Sequence, residues 1–363
     1  MDIAISKVDN LIKLGQYDIA FNIILNQLSS ISLEAKPYLL LKLSLLNWIK
    51  GDLSEYYKNA SLALDLSKKL SYTYLTILAE NYIKIFNLYE KAKSLRAKGL
   101  YQDSISLFKQ AINLSQSINS PHHELKCRRL LSISYWSLND YHNFFNENIR
   151  ALEIARQLNH SKEQCRCLNN LGLAYWKFDN YNEALNHFFE ALKIARSINS
   201  IPDESDIISN IAVVYRDIGN FDKAIEFINT SIQLDEKTLN YNGIFINKLN
   251  LGYTFRQLFL LTRNFSYINN AIGIYKELLQ NNISIDLKVK VLNNIASAYN
   301  DISEFHTYIY FLNQALELAN LIKSIEDKSL IFINLGIVYF NLGNYEKAIE
   351  SYKMSLELAS KLR

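Results

Sequence analysis

Turn-forming residues are scarce: the chain of 363 residues has 10 Gly and 3 Pro. So few exclude the many tight turns of a β-sandwich or barrel, and helix is the expectation. There are three cysteines, an odd number in a long chain, which argues against a disulfide framework and for a reducing, cytoplasmic setting. No sign of charge dominates, with 39 basic against 36 acidic residues and local balances of +4 over residues 1–120, +2 over 121–200 and −3 over 201–363. Nucleic-acid binding needs a sustained basic face and is therefore not expected. Long apolar runs are missing too. Lys42 interrupts one apolar stretch, Glu80 and Lys84 another, and Asp2, Lys7, Asp9 and Lys13 break up the N-terminus, so neither a leader nor a membrane span is expected. What is plentiful is core material: 49% of residues are hydrophobic, including 24 Tyr, 18 Phe and 3 Trp.

That material repeats. Asn170-Leu171-Gly172 with Tyr175, Tyr181, Ala184, Phe188 and Ala191 returns 40 residues on as Asn210-Ile211-Ala212 with Tyr215, Phe221, Ala224, Ile228 and Ser231. The fullest copy is Asn334-Leu335-Gly336 with Tyr339, Gly343, Tyr345, Ala348, Tyr352 and Ser355. A fixed period of this length marks a stacked array in which each repeat leans on its neighbours to bury its apolar stripe. Nine helix pairs are predicted, near residues 1–30, 37–70, 85–118, 125–158, 165–198, 205–238, 245–281, 289–322 and 329–362. Residues 1–120 form degenerate repeats and 121–363 regular ones, all in one continuous array. A small residue is required where the helices of a pair cross: Ser44, Ala92, Ser132, Gly172, Ala212, Gly252, Ala296 and Gly336. Tyr17, Tyr101, Tyr141, Tyr181, Phe221, Phe305 and Tyr345 are expected to begin second helices and to plug between repeats. About seven extra residues around Thr262–Ile268 are expected to form a loop in repeat seven.

The Leu-Gly pair and Tyr of the first helix, followed by small, aromatic and Ala positions in the second, resemble the tetratricopeptide repeat over essentially the whole chain. The longer period is similar to the variety in kinesin light chains and bacterial peptide-sensing receptors. The resemblance implies an all-α solenoid, a right-handed superhelix whose groove is lined by first helices and binds a protein or peptide.

If Leu171, Gly172 and Tyr175 face the stack, residues half a turn away face the groove. This places Asn170, Asn210, Asn250, Asn294 and Asn334 in a row, one per repeat. Asparagine inside a helix costs roughly 0.6 kcal/mol relative to alanine, about 3 kcal/mol over five positions, which asks for a return outside packing. An amide matches the carbonyl and N–H of an extended chain of any sequence. The row resembles the asparagine ladder of the O-linked N-acetylglucosamine transferase superhelix, which implies a grip on peptide backbone. Trp136 and Trp176 occupy equivalent groove positions in repeats four and five, Arg216 and Arg256 occupy the same position in repeats six and seven, and Lys126, Arg129 and Arg166 lie on the same faces of repeats four and five. Aromatic rings beside forked cations suit a ligand with an apolar anchor and a carboxylate. Four intervals of about 10 Å would hold roughly 12 extended residues, with micromolar affinity.

No catalytic residues, metal or cofactor are expected, since the chain has no phosphate loop, HExxH or G-x-S-x-G motif. Cys165 and Cys167 point about 200° apart on a helix, and Cys127 matches Cys167 in repeat register. His122, His123 and His160 are read as solvated residues between repeats. The leading expectation is a non-enzymatic interaction scaffold. The alternatives are the sensory part of a larger signalling enzyme, or a cytoplasmic signalling-peptide receptor without a DNA-binding domain, as no helix-turn-helix precedes repeat one. A last helix with Ile349, Tyr352, Leu356 and Leu362 on one stripe is expected to invite self-association or a downstream domain.

Overall fold

A computed structural model describes residues 2–360, with side chains from Ser6 onward; Leu362 lies outside the described residues. Among the described residues there are nine helical hairpins. In the first unit, residues 1–199, they are α1 (Asp2–Lys13) with α2 (Tyr17–Gln27), α3 (Lys36–Lys50) with α4 (Leu53–Lys69), α5 (Thr73–Ala97) with α6 (Tyr101–Ser117), α7 (Pro121–Ser137) with α8 (Tyr141–Gln157), and α9 (Ser161–Lys177) with α10 (Tyr181–Ser197). In the second unit, residues 200–363, they are α11 (Ile201–Asp217) with α12 (Phe221–Lys237), α13 (Tyr241–Thr262) with α14 (Phe265–Gln280), α15 (Ile285–Asp301) with α16 (Phe305–Leu321), and α17 (Ile325–Asn341) with α18 (Tyr345–Ser360). The boundary falls at Asn199–Ser200, whereas the change in repeat regularity near residue 120 lies inside the first unit.

The turns are built alike. Asn119, Asn139, Asn159, Asp179 and Asn199 each take a left-handed backbone after a helix, a conformation that their short polar side chains tolerate. The next residue often caps the following helix, as Asp140 does by accepting from the Asn143 amide and Asn180 from that of Glu183. The crossing positions are as tight as expected. A Cβ on Gly172 would lie 2.6 Å from the Phe188 ring and one on Gly252 2.5 Å from the Tyr275 ring. Three hairpins add a hydrogen bond over the same 26-residue separation: Cys165 Sγ to the Ala191 carbonyl, Ser205 to Ser231, and Ser329 to Ser355. Cys165 therefore occupies the place of a small hydrogen-bonding residue of the repeat.

Four expectations are corrected. First helices begin earlier than predicted, at Pro121 rather than 125, and at Thr73 rather than 85. The extra residues of repeat seven lengthen α13 to 22 residues, with Thr262 as its last, so only Arg263 and Asn264 separate it from α14. Not every aromatic residue that starts a second helix plugs the core: Tyr17 and Phe305 pack against it, but Tyr141 is half-buried, lying edge-on to Trp136, and Tyr345 is 60% exposed. The fourth concerns the histidines. His122 and His123 sit in the first turn of α7 and are buried. His123 bonds Ser120 Oγ at 2.6 Å and the Tyr56 hydroxyl at 2.9 Å, and burial drives its pKa well below the usual value.

Candidate functional site

In the first unit the N-terminal hairpin folds back on the turn between α8 and α9. Tyr17, first residue of α2, donates its hydroxyl to the Leu158 carbonyl across 141 positions of sequence. Its ring lies 5.6 Å from that of His122 and 5.2 Å from that of His160. Gly15 makes the approach possible, since a Cβ there would come 2.8 Å from the Asn159 carbonyl oxygen. Val8, Ile12, Ala20 and Ile24 of the hairpin bury themselves against Leu39, Leu43 and Leu46 of α3.

Between α2, the end of α3 and the first halves of α7 and α9 this leaves a cavity of about 530 Å³. Its lining includes Tyr17, Trp48, His122 and His160, the cations Lys50, Lys126, Arg129, Lys162 and Arg166, and the carboxylates of Asp18 and Glu163. Five cations face two carboxylates, so the cavity attracts anions. The carboxylates are occupied. Asp18 holds Lys50 at 2.8 Å, while Glu163 lies between Arg129 at 3.0 Å and Arg166 at 3.2 Å.

Lys126 is different. Its ammonium donates to the Trp48 carbonyl at 2.7 Å and stands 5.0 Å from the Trp48 ring centroid, with no carboxylate within ion-pair distance among the described residues. Burial, and then the charge of Arg129, push its pKa down to about 8. Nearby, the buried Nδ1 of His122 has no hydrogen-bond partner among the described residues, and burial lowers that histidine to about 3, so its ring is neutral. Trp48 fixes the wall between them: it is fully buried and its indole donates to the His122 carbonyl at 3.2 Å.

The other residues singled out by sequence are distributed more widely. All five asparagines are half-buried. Asn170 Nδ2 donates to Asn148 Oδ1 at 3.0 Å, and Asn334 Nδ2 to Asn293 Oδ1 at 2.7 Å, so each spends one amide hydrogen within its own unit. Asn250 and Asn294 form no side-chain hydrogen bond among the described residues, and Asn294 lines a 220 Å³ recess with Lys290, Asn293 and Asp327. Asn210 is on α11. Arg256 is paired with Asp301, and Arg216 with Asp217, over the Tyr253 ring at 4.8 Å. Trp136 packs against Phe144 at 4.9 Å, and Trp176 lies beneath Lys177. Sequence reading places Tyr17 between repeats but not in a binding site, and misses Trp48 and the burial of His122. Only the Gly15-Gln16-Tyr17 turn ahead of a helix start hinted at a role for Tyr17.

Among the described residues no group of three His, Cys, Asp or Glu side chains could hold a metal ion, and no helix is long and apolar enough to cross a membrane. The sequence matches tetratricopeptide repeat profiles over residues 148–197, 205–238 and 329–362. No curated protein matches it. Among solved structures it is similar to the apo quorum sensor NprR of B. thuringiensis, at 16% identity and a TM-score of 0.63, covering 99% of this chain and 98% of that one. A Rap protein complexed with Competence and Sporulation Factor gives 15% identity and a TM-score of 0.58 over 99% and 98% of the two chains. Apo RapI gives 17% and 0.57 over 77% and 98%. These similarities establish the fold. With nine hairpins among the described residues and three matched segments, the chain carries tetratricopeptide repeats over residues 148–197, 205–238 and 329–362 and has the helical-hairpin fold of such repeats.

Proposed function

We propose that the protein is a non-enzymatic receptor for an extended peptide or disordered segment, and that the first unit receives a carboxylate of that ligand, a C-terminus or an acidic side chain, in the cavity between α2, α3, α7 and α9. The observation that carries the reading is Lys126, an ammonium withdrawn from water against Trp48 with a carbonyl but no carboxylate to answer it. A buried cation of this kind is costly unless a counter-charge arrives. A ligand carboxylate supplies it, and Arg166, whose side chain is about one-third exposed, is placed to share it. Tyr17 and His160 add apolar ring surface at the rim. In the second unit, Asn250 and Asn294 offer amides suited to main-chain groups, each worth about 1 kcal/mol net. A short signalling peptide fits this chemistry, and the quorum sensor and factor-bound Rap protein that share the fold support that choice of ligand.

The test is selection from a random peptide library displayed with free C-termini, followed by binding of the enriched peptides with free and amidated ends. Lys126→Met is expected to weaken the acidic or free-acid peptides by at least about tenfold, the scale of one charge-assisted hydrogen bond. Peptides that bind wild type and Lys126→Met equally, with no preference for a carboxylate, refute the reading.

A further inference from the structure

Away from the cavity, α7, α8 and α9 together build a second feature. The Lys177 ammonium stands 4.4 Å from the centroid of the Trp176 ring, 5.4 Å from that of Tyr141 and 5.7 Å from that of Trp136. One ring comes from each helix. Trp136 and Tyr141 meet edge to face at 5.2 Å and 65°, Phe144 backs Trp136, and the Tyr141 hydroxyl donates to Asn139 at 2.7 Å, so two walls are held independently of Lys177. Aromatic faces carry the negative lobe of a quadrupole and attract ammonium groups; several around one point make a cation receptor. Lys177 has no carboxylate partner among the described residues and is itself exposed, so the rings are its only company. An exposed lysine exchanges such contacts for water at little cost, so it is a weakly held occupant. On α9 it follows Arg166 by eleven residues and Asn170 by seven, which places all three on one helical stripe.

We propose that Trp136, Tyr141 and Trp176 form a cage for an ammonium group of the bound segment, a lysine side chain or a methylated amine, and that Lys177 is the chain's own ligand, filling the cage until one arrives. That the cation belongs to a peptide rests on the function proposed above; that the cage binds cations does not. Some 10 residues of α9 separate Arg166 from the cage wall at Trp176, about 15 Å at the helical rise, so the first unit selects for opposite charges at two separated points.

The experiment is a titration of the full chain with tetramethylammonium chloride against sodium chloride at equal ionic strength, followed by tryptophan fluorescence. Trp48 is fully buried, so Trp136 and Trp176 carry the response. Lys177→Ser vacates the cage at an exposed site and is expected to bind tetramethylammonium about two- to fivefold tighter than wild type, the scale of one exposed cation–π contact. Trp176→Leu, and separately Tyr141→Ser, are expected to remove the tighter binding in the Lys177→Ser background. Lys126→Met is expected to leave it unchanged, so failure of the carboxylate reading and failure of the cage are read apart. Binding by Lys177→Ser no tighter than by wild type, or a response equal to that of sodium chloride, overturns the proposal.

Discussion

Replacing Lys126 by methionine should make the protein more stable, which is unusual for a residue tied into a folded wall. The Lys126 pKa falls from 10.5 to about 8, a difference of 2.5, so keeping the ammonium charged in the folded state costs about 3 kcal/mol. Methionine has a similar length, removes that charge and suits a site beside Trp48 and Tyr89. It also loses the hydrogen bond to the Trp48 carbonyl, worth about 1 kcal/mol net. The expected gain at pH 7 is therefore about 2 kcal/mol. Its pH dependence has a definite sign. Below pH 8 the folded and unfolded chains both carry the proton, and the whole penalty is present. Between about 8 and 10.5 the unfolded chain holds a proton that the folded one has released, so wild-type stability rises with pH and the advantage of the variant disappears.

The assay is urea unfolding followed by tryptophan fluorescence at pH 7 and pH 10. All three tryptophans, Trp48, Trp136 and Trp176, lie in the first unit, so the signal reports that unit. Groups common to both proteins cancel in the difference. A variant less stable than wild type at pH 7, or a difference that does not change with pH, would refute the reasoning. The same titration bears on function. A bound carboxylate needs the ammonium, so affinity for it should fall as pH rises above about 8, towards tenfold per unit, while an amidated neutral peptide shows no such dependence.

Two further substitutions test the frame that holds the sites. Gly172→Ala places a methyl 2.6 Å from the Phe188 ring, and overpacking of about 1–3 kcal/mol should outweigh the roughly 1 kcal/mol gained in helix propensity; a lower urea midpoint by fluorescence checks it, with Phe188→Leu restoring part of the loss. In the second unit, the buried Asp235 accepts from Ser205 at 2.8 Å and from Asn240 and Asn247 at 2.9 Å each, so Asp235→Leu strands three donors and should cost about 3 kcal/mol or more, read as faster hydrogen exchange across α11 to α13 while α7 to α9 keep their protection.

The repeat was legible because its signals are local. Tyr141, Tyr181, Phe221, Phe305 and Tyr345 do begin second helices, and a residue competent for the left-handed turn stands two positions ahead of each. The starts of the first helices were misplaced although Pro121 at the head of α7 marks one plainly, proline being favoured at the first helical position. The extension of α13 was hidden for a different reason. Nothing between Gln257 and Leu261 breaks a helix, and a count of surplus residues does not say whether they coil or add a turn. His122 and His123 were beyond reach of periodicity altogether. Trp48, Tyr56 and Tyr17, which cover them, come from repeats whose pattern is worn, more than sixty positions away in sequence.

That wear is informative in itself. Positions 126, 166, 206 and 246 share one place in the repeat and carry Lys, Arg, Asp and Ile, so the positive charge belongs to two repeats and is no demand of the fold. Partly buried cations elsewhere show what the fold does demand: Arg128 meets Glu124 and Glu147, and Arg256 meets Asp301. Each of these brings its own counter-charge, as a buried ion requires. Lys126 has the same burial problem, and the one carboxylate within the cavity that could have answered it, Glu163, is divided between Arg129 and Arg166. A scaffold that pairs Arg128 and Arg256 with carboxylates of its own and gives Lys126 none, at the wall where the N-terminal hairpin closes a cavity, fits the proposal that the missing anion is a carboxylate of the ligand.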